Sequence, residues 1–419
     1  MLIILTIVIT AAVIIILLNF MTAEKKIQRK LESLYDVADA QFSRSISALL
    51  GPPFVSGNDV QVLTNGNEIF PAMLSAIKSA EETITFETFI YWADSIGDEF
   101  ANALGERAQT GVKVHVLLDW LGSAKMEEKQ LNKMKLAGVH IQRYHKPHWT
   151  HLARFNNRTH RKLLIIDGKL GFTGGVGVAD QWRGDARNAK EWRDSHFKVT
   201  GPVVGQMQAV FMDNWIKAQG EVLHNELYFP ALKSTAKVKA QMFSSSASGG
   251  SDSMQLMYMM AITAASKTIE ISSAYFVPDQ LSIQTLINAV ERGVKIRIIT
   301  PGKHIDTELV RMASRAFWGE LLKSKIEIAE YQPTMYHCKI FIVDSLLVSV
   351  GSTNFDNRSF RLNDEANLNI LDKTFAVEQQ KIFEEDWSNS RKITYKKWLN
   401  RPFKEKVLGK IALLFKSQL

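Results

Sequence analysis

Two stretches of this chain follow the same order of segments, and that internal duplication constrains the fold more than any other feature. The first runs AMLSAIKSAEETITFETFIYW, ANALGERAQTGVKVHVLLDW, AGVHIQRYH and THRKLLIIDGKLGFTGG. The second runs LMYMMAITAASKTIEISSAYFV, LINAVERGVKIRIITPG, SKIEIAEYQP and YHCKIFIVDSLLVSVGSTN. Each reads as a helix, a strand, a helix ended near Gly111 or Gly293, a strand, a further helix, a strand and a buried strand. Glycine just past a helical run is the usual C-terminal stop. TITFETFI, VKVHVLL, KIRIIT and KIFIV are β-branched and apolar, as buried strands of an α/β sheet are. The repeat is too long for a solenoid, so the expected fold is α/β, with two tandem domains of sheet flanked by helices. Its bounds are 55–230 and 235–395. Residues 24–54 read as a basic helical stalk ending at Gly51-Pro52-Pro53, and Ser244 to Ser253 as a flexible stretch. A length of 419 residues fits this division, at about two or three domains.

From Met1 to Ala23 no side chain is charged. A run of about 20 apolar residues crosses the hydrocarbon of a bilayer as a helix. A core helix would alternate with polar positions, and a signal peptide wants a basic segment first and a small-residue cleavage site after; neither pattern is present. The expectation is one N-terminal transmembrane helix over 1–23. Lys25, Lys26, Arg29 and Lys30 follow it, which places the remainder of the chain in the cytoplasm. The formal net charge of +8 suits an anionic partner, either lipid or nucleic acid. The last segment, 396–419, is basic and amphipathic: a packed helix or one lying on a membrane surface.

The chemistry is expected in two matching motifs. His160-Arg161-Lys162 with Asp167, and His337-Cys338-Lys339 with Asp344, share the spacing H-x-K-x-x-x-x-D. On a strand, positions i and i+2 face one side, so each His points with its Lys. Asp167 and Asp344 fall at an odd offset and are expected to support the strand end by holding the following turn. Two lysines converging on one centre would neutralise phosphodiester oxygens. One neutral His could attack phosphorus while the other, protonated, gives its proton to the leaving alkoxide. Gly351 to Ser359 supplies small polar donors after a strand, suited to phosphate. Glu365 could orient an imidazole as a triad carboxylate does.

These residues resemble the phospholipase D superfamily, whose mark is the duplicated HxKxxxxD motif, and within it bacterial cardiolipin synthases. The resemblance is carried by THRKLLIIDG, FTGG, Trp192 to Asp194, Gly201 to Val204, YHCKIFIVD, VGSTNFDNRSF and LNDEANL, and spans about residues 55–395. It implies two phospholipase D-like domains related by a pseudo-two-fold axis, with the histidines at their interface. It further implies a phosphohistidine intermediate and neither metal nor other cofactor. Carried over by position, His160 is the nucleophile and His337 the general acid, though near-symmetry allows the reverse. Lys162 and Lys339 bind phosphate, Ser352 and Asn354 help, and Glu365 and Asp194 orient imidazoles. One departure is Gly177, where the family's first half usually has Asn; it either lowers activity or widens the site.

Other residues carry less. His145, His148 and His151 could approach a metal, but Pro147 breaks any helix that would align them; a rim loop placing Trp149 and cations among lipid headgroups is the preferred reading. Cys338 points away from His337 and is expected to be a buried small hydrophobe. Glu87 either lines the cleft or forms a structural ion pair. The leading function is transfer of a phosphatidyl group between two phosphatidylglycerol molecules, giving cardiolipin and glycerol. Hydrolysis or transfer to another alcohol, a nuclease of the same superfamily, and a non-enzymatic scaffold are the competitors. The partners expected are anionic phospholipid and membrane, not nucleic acid.

Overall fold

The computed structural model describes Thr6, Thr10, Ile14 and residues 30–144, 157–246 and 253–413. The uncharged N-terminal run, His145, His148, His151 and Trp149, and most of the serine-rich stretch lie outside these residues. Among the described residues no helix is long and apolar enough to cross a membrane.

The first half holds strands β1 (Val55–Thr64), β2 (Thr83–Thr88), β3 (Lys113–Asp119), β4 (His140–Tyr144), β5 (Arg158–Thr159), β6 (Leu163–Ile166), β7 (Leu170–Gly174) and β8 (Ser195–Thr200). The second holds β9 (Val238–Ser245), β10 (Thr268–Ser273), β11 (Phe276–Val277), β12 (Lys295–Pro301), β13 (Glu327–Tyr331), β14 (Lys339–Val343), β15 (Leu347–Gly351), β16 (Phe355–Asp356), β17 (Asn363–Leu371) and β18 (Ser390–Ile393). Apart from β11 and β16, which pair with each other, they form one 16-stranded sheet. The order β4-β3-β2-β6-β7-β8-β1 in the first half matches β13-β12-β10-β14-β15-β17-β9 in the second. The halves join where β1 pairs antiparallel with β9, Val55 opposite Ala240, so the duplicated units share one sheet across a pseudo-two-fold axis.

The helices follow from local signals. α1 (Ala40–Leu50) starts at Asp39, whose carboxylate accepts from the Gln41 amide. α2 (Asn65–Lys78), α3 (Ser95–Gln109) and α4 (Glu128–Leu136) pack on the first half-sheet. α5 (Val203–Gln219) covers its other face. α6 (Ser253–Ala264), α7 (Gln280–Glu291) and α8 (Glu308–Lys323) repeat the arrangement on the second half, where α1 joins them. α9 (Asn357–Arg361) is a short turn, and α10 (Lys373–Ser388) is the partner of α5. Gly111 and Gly293, just past α3 and α7, both adopt φ +97, a left-handed conformation that stops a helix without steric cost.

α5 and α10 lie over one core that runs through both halves, with Phe197 against Phe375 at 6.2 Å. Apolar side chains on both faces of the strands explain their near-continuous hydrophobic sequences. The last described elements are α11 (Tyr395–Leu399) and α12 (Phe403–Ala412). Trp398 Nε1 donates to Arg315 O on α8 at 2.7 Å. Gly409 and Ala412 are buried, so this part of the tail packs on the body.

Candidate active site

β6 and β14 run antiparallel to β2 and β10, so their starting residues stand at the C-terminal edge of the parallel strands, where open α/β sheets bind ligands. The two histidine motifs begin there. The structure corrects their expected position in one respect: β6 starts only at Leu163 and β14 at Lys339. His160, Lys162 and His337 therefore precede the ladder, and Lys339 stands at its first step. The cause is a crossing of the two halves. His160 N donates to Asp364 O at 2.9 Å and His337 N to Arg193 O at 2.8 Å, so each histidine's backbone is held by the other half rather than by its own sheet.

The side chains cross in the same sense. His160 Nδ1 lies 3.0 Å from both carboxylate oxygens of Glu365, and His337 Nδ1 lies 2.7 Å from Asp194 Oδ2. Each acid thus fixes an Nδ1–H tautomer in the opposite repeat and leaves Nε2 for chemistry. All four groups are at most 9% exposed. Lys162 Nζ donates to His160 O and Lys339 Nζ to His337 O, both at 2.6 Å. These bonds hold the ammonium groups beside their own histidines.

The electrostatics describe a single centre. Burial, with Lys162 and Lys339 adding repulsion and Glu365 opposing, takes His160 down to about 4. Burial and the same two lysines take His337 down to about 3, against the pull of Asp194. Lys162 falls to about 7, first through burial and then through Lys339, although Glu365 favours its charge. Burial lowers Lys339 as well. Glu365 and Asp194 stay below the usual carboxylate range because their histidine partners and hydrogen bonds overcome desolvation. Burial thus favours the neutral form of both imidazoles, the hydrogen bonds favour the ionised form of both acids, and Lys162 titrates near neutrality.

Asp167 and Asp344 are not in this centre. Each sits at the far end of its strand, about 16 Å of extended chain from its lysine. Asp167 accepts from the amides of Glu81, Glu82 and Thr83, and Asp344 from those of Ser266, Lys267 and Thr268. They hold the turns that enter β2 and β10, not the turns that follow them in sequence, which corrects the expectation. A carboxylate facing three backbone N–H groups makes charge-assisted bonds of about 1.5–3 kcal/mol each.

Ser352 also differs from its expected place at phosphate. Its Oγ donates to Glu365 Oε2 at 2.5 Å and accepts from Ala366 N at 3.0 Å. The β15–β17 register, with Gly351 opposite Asn367, aims it at the acid. Asn354 is buried: Ser359 Oγ accepts from its backbone N at 3.2 Å, and its Oδ1, an acceptor, finds no partner among the described residues. Gly177 does not widen the site, since a Cβ there would meet Ile90 Cβ at 2.9 Å and the Trp182 ring at 3.2 Å. Among the described residues, Glu87 neither opens to the surface nor forms a direct ion pair. It is wholly buried, pushed up to about 7 by that burial, and accepts from Thr159 Oγ1 at 2.5 Å and Asn214 Nδ2 at 2.7 Å. Cys338 is fully buried, its thiol pushed up to about 12.

Three supporting residues went unnoticed as such in the sequence. Trp182 Nε1 donates to Asp194 Oδ2 at 3.0 Å while its ring lies 5.3 Å from that of His337, and Trp192 lies 5.4 Å away. Arg193 forms a buried two-pronged pair with Asp386, both contacts at 2.9 Å, and so ties the segment that carries Asp194 into β8 to the second half. The run Trp192-Arg193-Asp194 was the available signal, because a buried arginine beside an acid must find a distant partner.

The protein family described as "Cardiolipin synthase, PLD-like domain" matches residues 73–188 and 258–387. Cardiolipin synthase 1 of Bacillus cereus is 32% identical over 394 residues, spanning 91% of this chain and 77% of that protein. Cardiolipin synthase A of Pseudomonas fluorescens is 33% identical over 351 residues, 84% of this chain and 73% of that one. Among solved structures, phosphatidylserine synthase of Haemophilus influenzae aligns with a TM-score of 0.68 at 16% identity, covering 90% of this chain and 100% of the other, which speaks to the fold alone. With both histidine motifs inside the matched segments and relatives of this identity along most of its length, the chain belongs to the PLD-like cardiolipin synthase family.

Proposed function

We propose that this protein is a phosphatidyltransferase that condenses two phosphatidylglycerol molecules to cardiolipin and glycerol. The observation that carries it is the crossed pair of His–carboxylate contacts closing around two lysines, in a chain whose curated relatives are named cardiolipin synthases. Lys162 Nζ, Lys339 Nζ and Asn354 Nδ2 donate to the non-bridging oxygens of the first phosphatidylglycerol. The bound anion raises the affinity of one imidazole for a proton, which makes His337 a general acid. His160 Nε2 attacks phosphorus, the bond to the glycerol oxygen breaks, and His337 gives its proton to that oxygen. The neutral His337 then takes the proton from a headgroup hydroxyl of the second phosphatidylglycerol. That oxygen attacks phosphorus and the P–N bond breaks, restoring His160. Glu365 and Asp194 hold the imidazoles in register and stabilise the charge each acquires. Asp167 and Asp344 act through the turns they hold.

We assign the nucleophile by the order of the family's motifs. Trapping with labelled phosphatidylglycerol tests it: the covalent adduct should accumulate in His337→Ala and be absent from His160→Ala. We further place residues 1–23 as the membrane anchor with the catalytic body in the cytoplasm, on the lysines and arginine that follow it. A reporter active only outside the inner membrane, fused after Leu419, should stay silent.

The deciding assay supplies labelled phosphatidylglycerol in mixed micelles and separates the products. Cardiolipin with released glycerol is expected, and added glycerol should drive the reaction back. Phosphatidic acid as main product, unaffected by glycerol, would make the protein a hydrolase. Cleavage of DNA or RNA with no lipid product would overturn the lipid reading.

A further inference from the structure

The C-terminal helix α12 has two unlike faces. Gly409 and Ala412 are buried against α8, where a Cβ on Gly409 would lie 3.4 Å from Met312 O and 3.5 Å from Ala316 Cβ. Glu405 turns the same way, with Oε1 3.0 Å from Arg315 Nε and 3.7 Å from Arg401 Nε. On the opposite side Phe403, Val407 and Ile411 are 80%, 39% and 47% exposed. Their spacing of four puts them on one face of the helix. Lys404 and Lys410 are exposed as well. Each lies one heptad from a residue at an end of the stripe, so lysines border it on both edges. α11 adds exposed Tyr395 and Leu399 beside exposed Lys396 and Lys397. Across 395–413 the one acid is Glu405, and it faces the body.

We infer that α11 and α12 lie on the surface of an anionic bilayer, with Phe403, Val407 and Ile411 at the boundary of headgroups and acyl chains and the lysines on lipid phosphates. This rests on the lipid-substrate reading above. A helix needing only solubility would carry charge where those three apolar residues stand. A single narrow stripe is too small for a stable protein interface of about 1,000 Å² or more, whereas an interfacial helix with basic flanks suits a bilayer. The placement also has a consequence for the site. Ala412 packs with Val277, Val310 and Ala313. Val277 lies on β11, which pairs with β16 just after Asn354. A membrane beneath the stripe would therefore bear on the element that carries the Asn354 loop.

The chain's one cysteine, Cys338, is fully buried, so Val407→Cys introduces a single accessible thiol for an environment-sensitive fluorophore; Ile411→Cys provides a second reporter. The labelled full chain is placed in phosphatidylcholine vesicles with and without phosphatidylglycerol. Expected is quenching by lipid-borne quenchers when phosphatidylglycerol is present, with the quenched fraction falling about tenfold in the Lys404→Glu/Lys410→Glu variant. A label open to aqueous quencher in phosphatidylglycerol vesicles would overturn the inference. So would a label shielded from water yet untouched by lipid-borne quencher, which would mean that a second copy or the chain's own terminal residues cover the stripe. Quenching that ignores the lysine changes would overturn the anionic part. Assaying the same samples for cardiolipin separates the two readings: immersion without product leaves docking standing and removes the enzymatic reading, and product with a water-exposed label does the reverse.

Discussion

The two halves of the active site reach one geometry with different side chains. In the second half the acid is Glu365, the longer carboxylate, which receives His160 on both oxygens while Ser352 Oγ and Asn363 Nδ2 hold it from behind. In the first half the acid is Asp194, which meets His337 with one oxygen and is held by Trp182 Nε1 and the Ser195 amide. The equivalent of Ser352 is Gly175, where a Cβ would stand 2.3 Å from Asp194 Oδ1. The shorter acid thus occupies the space a serine at Gly175 would need. The surroundings differ too: His337 is flanked by Trp182 and Trp192, His160 by Phe89. The residue before the acid reverses charge, Arg193 in one half and Asp364 in the other. Duplication preserved the backbone crossing and the imidazole–acid contact, and let the means of holding the acid diverge.

The largest test removes the comparison altogether. If the two halves make one centre, His160→Ala and His337→Ala should each cut turnover by at least about 10⁴-fold, and the double variant should be hardly worse, as in other sites whose members act as a unit. Half activity in each, at matched membrane levels, would mean two independent sites.

Next come the crossed acids. Asp194→Asn and Glu365→Gln should each lower kcat by about 10³-fold, since the wrong tautomer becomes available. Histidine NMR sharpens this: Asp194→Asn should shift His337 and spare His160, and Glu365→Gln the opposite. The reverse assignment would refute the crossing.

A smaller effect separates how the acids are held. Gly175→Ser, which forces Asp194 off His337, should cost about 100-fold, while Ser352→Ala, which removes one bond to an acid with other donors, should cost about tenfold. Equal losses would show that the halves are held alike after all.

The smallest expected effect concerns pH. Burial and Lys339 bring Lys162 to about 7. Anion binding favours its charged form, so substrate takes up a proton. KM should therefore rise with pH above about 7, by about fivefold between pH 7 and 8, and flatten in Lys162→Arg. Stability moves the opposite way to affinity. Because the folded value is depressed from the usual 10.5, the unfolded chain holds more protons between about 7 and 10.5, and folding is favoured as pH rises through that window. A KM independent of pH in the wild type would show that Lys339 carries the anion alone.

Much of this was legible in the residues. The alternation of helical and β-branched runs, the glycines at Gly111 and Gly293, and the paired His and Lys specified a duplicated α/β sheet with a phosphodiester centre, because helix stops, strand periodicity and functional spacing are properties of neighbouring residues. The uncharged run from Met1 to Ala23 is likewise a statement of sequence. What distant residues do to each other was decided only in three dimensions. No spacing assigns Glu365 to His160 and Asp194 to His337, since the partner follows from the pairing of β5 with β17 and of Arg193 with Tyr336 across the dyad. The same holds for Ser352, turned to Glu365 by the β15–β17 register, and for Gly177, whose side-chain position is taken by Ile90 and Trp182. Local chemistry chose the groups; close packing, in which each volume is filled once, chose their partners.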